Sequence, residues 1–379
     1  MKGSITPRGK NTWRLRYNGS PTPEGKRTIL SETIHGAKKE AETLLRERLS
    51  SIESGTYVAR KRETLAQFME SWLSRYASLN TTPRTMVGYK EKTKNYIIPC
   101  LGGNRIQSLT PRHIQDLHSY MREKGLSNQT ITHAHRVLSE ALKHAVAWKI
   151  LPSNPAGSVK APRPEQREVA VWDFEQMQTF IETSKFSQFH DAFMLAIFTG
   201  MRRSEITGLR WEGVDFTTST LRVTGTLQRI TGHGLLPGSP KTKTSRRAIS
   251  VWQNTVDILH SIRGKQLSLH ADLDDLYQNK NGYVITDDLG RPIDPNRLTR
   301  EFARLVKQAG LPHANFHSLR HCHASLLLAD GASIKTISER LGHSKPSMTL
   351  DVYSHLLPTI QAQAAQSLEE RLSGSNLNR

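Results

Sequence analysis

The chain has 379 residues, a formal net charge of +19, 36% hydrophobic and 23% charged side chains. That fits a folded chain of two or three domains and excludes a disordered or fibrous one. Two cysteines, Cys100 and Cys322, exclude a disulfide-rich secreted scaffold and a CxxC zinc ribbon, and no run of about 18 apolar residues suggests a membrane span.

The start, Met1-Lys2-Gly3-Ser4, lacks an apolar signal core, so a cytoplasmic address is expected. The basic excess is uneven. Residues 1–60 hold 12 basic and 6 acidic side chains, 61–165 hold 16 and 7, and 166–379 hold 25 and 21. A field of this sign favours a polyanionic partner and salt-sensitive binding. A solvated basic surface with nothing to grip is the plainer alternative.

Residues 1–60 read as a small α+β unit. Thr12-Trp13-Arg14-Leu15-Arg16-Tyr17 alternates as a strand, Asn18-Gly19 signals a turn, and Arg27-Thr28-Ile29-Leu30 can pair back. A helix is expected over 36–51. Residues 61–165 read as all-helical. Thr64 to Gln67 forms a capping-box pattern opening a helix to about Ala77. Thr82-Pro83 starts a second helix, running towards Ile98 and ended by Pro99 and Gly102-Gly103. Thr110-Pro111 starts a third, stopped by Gly125. Ser127 caps a fourth, whose Ile131, Ala134, Leu138, Ala141, Leu142, Ala145 and Trp148 share one face. Lys90, Lys94 and Arg136 stay available for phosphates, as do Arg14 and Arg16 in the front unit.

Pro152, Pro155, Pro162 and Pro164 mark 151–168 as a linker. The third unit, 169–379, opens with a reciprocal cap in Asp173-Phe-Glu-Gln176. Helices are expected at 174–184, 190–199 and 203–210, strands within 221–251, and helices again at 252–266, 296–309, 318–329 and 333–341.

Four segments of this unit carry polar chemistry. In Thr199-Gly200-Met201-Arg202-Arg203-Ser204-Glu205, an apolar helix ends and Arg202 stands at the junction with the next, with Glu205 one turn on to hold it. Pro240-Lys241-Thr242-Lys243-Thr244-Ser245-Arg246-Arg247 is expected in a β-hairpin turn between Leu227 and Ile249. In Phe316-His317-Ser318-Leu319-Arg320-His321, His317 and Arg320 share a helix face and suit a phosphate. His317 and His321 also have zinc-ligand spacing, but position 318 is serine and no carboxylate or cysteine cluster adjoins, so no metal is expected. Leu341-Gly342-His343-Ser344 is followed ten residues on by Tyr353, in Leu350-Asp351-Val352-Tyr353-Ser354-His355. A phenol is a weak nucleophile at neutral pH unless cations surround the phosphate it attacks.

The ordered set TGMRRSE, PKTKTSRR, HSLRH, LGHS and DVYSH resembles the tyrosine recombinase family, in particular phage-type integrases with an arm-binding front domain. The resemblance is sharpest over 170–358. It implies a multidomain protein: a small α+β N-terminal arm-type DNA-binding domain at 1–60, an all-α core-type DNA-binding domain at 61–165, and a mainly α catalytic domain with a small antiparallel β-sheet at 169–379. It implies site-specific strand cleavage and rejoining, integrating and excising a phage or other mobile element. Arg202 and Arg320 match the arginines that bind the scissile phosphate. Lys241, with Lys243 as a rival, matches the lysine that protonates the leaving 5′-oxygen. His317 matches the histidine that assists proton transfer, His343 a phosphate hydrogen bonder, and Tyr353 the nucleophile that forms a 3′-phosphotyrosyl link. No cofactor is implied, because the covalent link conserves the bond energy. Implied partners are double-stranded core and arm attachment sites, a homotetramer on DNA, and an excisionase or host DNA-bending protein, in a bacterial nucleoid and away from membranes. The helix-prone tail after Pro358 is compatible with docking in trans or in cis. A non-catalytic DNA-binding architectural protein and a type IB topoisomerase are the rival readings.

Overall fold

The computed structural model describes residues 3–19, 28–54, 57, 62–165, 171–240, 243–344 and 347, with backbone alone at 243. The chain forms two compact units, Met1–Gln166 and Arg167–Arg379.

The first unit opens with an antiparallel sheet of β1 (Gly3–Gly9), β2 (Thr12–Asn18) and β3 (Ile29–His35), in that spatial order. Alternation along β2 turns Leu15 and Tyr17 inward, and α1 (Lys38–Glu53) covers them with Ala41, Leu45 and Ile52. β1 was not expected from its sequence. It has glycine at both ends and Pro7 within, and survives as an edge strand with an irregular register between Pro7 and Gly9.

The rest of the first unit is helical. Thr64 Oγ1 accepts from the Gln67 amide and Gln67 Oε1 from the Thr64 amide, which opens α2 (Leu65–Trp72). A π turn, Leu73–Ala77, leads into α3 (Ser78–Asn80). Thr82 caps α4 (Pro83–Lys92), which continues through a π turn at Thr93–Ile97 into α5 (Ile98–Leu101). Pro99 therefore does not end this helix, contrary to the sequence expectation. It lies in the first turn of α5, where its missing amide is tolerated after the shift in hydrogen-bond register, and the stop comes at Gly102. Helices α6 (Pro111–Glu123) and α7 (Asn128–Ala147) follow. Phe68, Trp72, Ile97, Ile114, Leu117, Ile131, Leu138 and Leu142 fill the core between them. Trp148 is not on the buried stripe: it caps α7 and stays 43% exposed, its ring edge-on to Phe68 and Tyr76.

Much of the proline-rich stretch expected as a linker is packed onto this unit. Pro155 and Ala156 are buried in a short turn, Pro155–Ser158, and Thr132 Oγ1 donates to the Pro162 carbonyl. Four prolines here fix the path of a docked segment instead of spacing two domains.

The second unit contains α8 (Phe174–Ser184), α9 (His190–Thr199) and α10 (Arg203–Ile206), the last ending well short of the expected 210. Strands β4 (Val214–Asp215), β5 (Thr220–Val223), β6 (Thr226–Ile230), β7 (Gly234–Gly238) and β8 (Arg247–Ser250) follow. Then come α11 (Gln253–Leu273), α12 (Pro295–Gln308), α13 (Ser318–Ala329) and α14 (Ile334–Leu341). Trp172, Phe180, Phe193, Phe302 and Phe316 pack at the centre of the core, Trp172 stacked on Phe302 and the other rings edge-on or tilted. The strands make two sheets: β4-β5-β8 is antiparallel, and β6-β7 is a separate hairpin. β7 and β8 pair with different strands, β6 and β5, so the hairpin expected between Leu227 and Ile249 is not formed by the described strands. No helix among the described residues is long and apolar enough to cross a membrane.

Candidate active site

The site is built at the corner where α9 gives way to α10. Gly200 ends α9 in the left-handed region, φ +63°, where a side chain would be strained. A Cβ there would also lie 2.6 Å from the His323 ring. The turn frees the Gly200 carbonyl, which accepts from Arg320 Nη1 of α13 at 2.7 Å. Two residues on, Arg202 caps α10. Its backbone amide donates to Glu205 Oε2 at 2.9 Å and its Nη1 to Glu205 Oε1 at 2.8 Å.

A row of carbonyls at the end of α14 organises the arginines. The last carbonyls of a helix have no partner within it and carry its negative pole. Here three consecutive ones each accept from a different guanidinium. Arg340 O accepts from Arg247 Nε at 2.6 Å, Leu341 O from Arg320 Nη2 at 2.6 Å, and Gly342 O from Arg202 Nη2 at 3.2 Å. Gly342 makes the row by closing α14 at φ +67°.

Glu205 is the carboxylate between two of these arginines, its side chain 2% exposed. Arg247 Nη1 and Nη2 reach Oε1 and Oε2 at 3.2 and 3.0 Å. Burial alone would raise the Glu205 pKa, but the hydrogen bonds and charges of Arg247 and Arg202 outweigh it and hold the group below the usual carboxylate range.

Three histidines join the cluster. His317 precedes α13, its amide anchored to Asn315 Oδ1 at 2.8 Å. Its ring is perpendicular to that of His321, with centroids 4.8 Å apart. His317 has a solvent-exposed edge, while the protein packed behind its ring, with His321, Arg320, Arg202 and His343 nearby, draws its pKa to about 4. His343 is likewise drawn to about 4, by burial first and then by Arg320 and Arg202. Burial and Arg320 do the same for His321. Burial and the fixed cations beside them keep these imidazoles neutral at pH 7. No third His, Cys, Asp or Glu joins His317 and His321 in a metal-sized group among the described residues.

Of the residues expected in the site, Arg202, Arg320, His317 and His343 are brought together. Lys241 and Tyr353 lie outside the described residues, as does the tail after Pro358. Arg14 and Arg16 lie on the sheet face opposite Leu15 and Tyr17, with Arg14 Nε on Ser31 Oγ at 2.8 Å. Lys90, Lys94 and Arg136 are exposed on α4, the following π turn and α7. The sequence reading assigned Arg247 and Arg340 no role, and offered His321 only as a zinc-ligand candidate. Arg340 donates to Ser250 O, Phe198 O and His323 Nε2, tying α14 to the ends of β8 and α9 and to α13. One signal was available for Arg247: it stands two before the inward Ile249 in β8, so alternation places it on the buried face.

The model of the phage integrase family matches residues 171–359, and that of the phage integrase N-terminal SAM-like domain matches 64–122. A tyrosine recombinase XerC-like protein of Caldanaerobacter subterraneus subsp. tengcongensis is 29% identical, covering 97% of this chain and 98% of its own. The ICEBs1 integrase of Bacillus subtilis is 29% identical over 70% of this chain and 72% of its own. Among solved structures, the Tn1549 transposon integrase in complex with transposon right end DNA matches 82% of this chain and 99% of its own, with TM-score 0.68 and 23% identity. A lambda integrase tetramer bound to a Holliday junction matches 92% and 94%, with TM-score 0.58 and 18% identity. These likenesses extend across both units, and with two guanidinium groups and neutral imidazoles gathered at one helix end, they place the chain in the phage integrase family, as a site-specific tyrosine recombinase.

Proposed function

We propose that Arg202 and Arg320 clamp the scissile phosphate of a core attachment site and that Tyr353 attacks it. The observation that carries this reading is the seating of both guanidinium groups on adjacent carbonyls of one helix end, with His317 and His343 beside them. Groups fixed in advance stabilise developing charge without reorganising during the reaction. The Tyr353 oxygen bonds to phosphorus while the bond from phosphorus to the 5′-oxygen breaks. The phenolic proton passes towards neutral His317, and Lys241 supplies a proton to the departing 5′-oxygen. His343 hydrogen-bonds the phosphate. The 5′-hydroxyl of the partner strand then reverses these steps and reseals the backbone.

On this reading residues 61–165 grip the core site, with Lys90, Lys94 and Arg136 on the backbone, and residues 1–60 bind separate arm sites through Arg14 and Arg16. The solved relatives bound to DNA as a dimer and a tetramer support assembly of a tetramer on DNA. An excisionase or a host bending protein would set the direction, and the chain works in the cytoplasm on the nucleoid.

The test is a nicked suicide substrate carrying candidate attachment sites from the ends of the encoding element. The wild-type chain should give a covalent protein–DNA band on a denaturing gel. Tyr353→Phe should abolish that band and retain specific binding. An unchanged band from the variant would refute the assignment.

A further inference from the structure

Arg247 has no part in the reaction as proposed, yet it bonds to both Glu205 and the end of α14, which hold the phosphate clamp. Its side chain is 6% exposed and all three of its guanidinium nitrogens are engaged. Two grip Glu205 side by side, and Nη1 also reaches Ser245 O at 3.2 Å. The third, Nε, takes the first carbonyl of the α14 row. Glu205 in turn fixes Arg202 through both its backbone amide and its Nη1. The next two carbonyls of the row fix Arg320 and Arg202. Arg247 also leads β8, directly after the segment that contains Lys241 and Lys243.

We infer that Arg247 is a positioning residue for strand cleavage: it locks Glu205 and the α14 carbonyls together, so that Arg202 and Arg320 are set at the separation one phosphate needs. Only a planar fork can hold a carboxylate with two nitrogens and a carbonyl with a third. Lysine keeps the charge beside Glu205 but cannot span both. Arg202 and Arg320 are then free to shift by a fraction of an ångström, and misplacement on that scale is costly in the transition state.

The inference rests on the phosphate-clamp reading, and the experiment separates the two. Wild type, Tyr353→Phe and Arg247→Lys are compared on nicked core-site duplexes. One duplex carries an ordinary scissile phosphodiester and the other a methylphosphonate, in both diastereomers. The methylphosphonate has lost the negative charge that the arginines neutralise, so a displaced clamp matters less. Arg247→Lys should slow covalent capture of the phosphodiester about 100-fold, yet stay within about threefold of wild type on the methylphosphonate, with core-site affinity retained. Equal slowing on both substrates, or none, would overturn the inference, because a purely structural loss cannot be relieved by changing the substrate. Failure of both Arg247→Lys and Arg247→Gln to fold would assign Arg247 to the fold and overturn it as well. A wild-type chain that forms no adduct, or a Tyr353→Phe chain that does, would instead overturn the clamp reading.

Discussion

Glu205 meets four donors with two oxygens, and its environment tolerates no neutral substitute. Glutamine would keep one acceptor but turn an amide N–H₂ towards a guanidinium, leaving buried Arg247 and half-buried Arg202 short of a counter-charge. Removing one partner of a buried pair costs about 3–5 kcal/mol. Glu205→Gln should therefore lower the unfolding free energy of the second unit by about 3 kcal/mol, read from urea midpoints at constant m-value. A change below about 1 kcal/mol would mean that the pair is not coupled to the fold in this way. At this scale the sequence was partly legible. Glu205 is one turn from Arg202 and could be read locally. The Arg247 partners Glu205 and Arg340 lie 42 and 93 residues away, so no local spacing marks them.

Among the elements, α14 does more than its eight residues suggest. Its C-terminal turn depends on Gly342. A Cβ there would sit 3.0 Å from both Cδ and Nη1 of Arg247 and 3.1 Å from the Thr244 carbonyl, on a backbone already left-handed. Gly342→Ala should cost about 1–2 kcal/mol of stability. It should also slow covalent capture, because the carbonyl that seats Arg202 moves with the turn. Stability and capture rate both at wild-type level would refute this. Elements that announce themselves through side-chain caps were readable in advance: Thr64, Thr82, Ser127 and Asp173 each accept from the first turn of a helix. What was hidden depends on partners distant in sequence. β1 is a poor strand former held by β2, and the pairing of β8 with β5 skips the intervening hairpin.

Over the whole molecule, acid should loosen what neutral pH holds. His118 and His135 pack against each other in the first unit with ring nitrogens 3.1 Å apart, and burial, then His135 and Arg122, draw His118 to about 4. In the second unit His321, His323 and His343 are each drawn to about 4 from an ordinary 6.5. Between those values the unfolded chain binds protons that the folded chain refuses. Stability is therefore highest above about pH 6.5, falls as pH drops towards 4, and levels off for these groups below it. The melting temperature at pH 4.5 should lie at least about 5 °C below that at pH 7, since each kcal/mol shifts it by about 2–4 °C in units of this size. A pH-independent melting temperature would contradict this. The charge distribution makes a second claim at this scale. Among residues 1–60, the described ones share a small core of Leu15, Tyr17, Ala41, Leu45 and Ile52. Deleting them should spare cleavage of a short core site and depress integration at least tenfold, an order-of-magnitude estimate for the loss of a tethered second contact. Equal integration by both forms would refute the arm assignment.

Seating three guanidinium groups on consecutive carbonyls makes one short helix a common failure point. If its final turn frays, three cations each lose an acceptor in a single event while the aromatic core around Phe302 stays packed. Competence should thus be all-or-none in each molecule, and amide exchange at residues 340–343 would report the fraction of chains ready to cut.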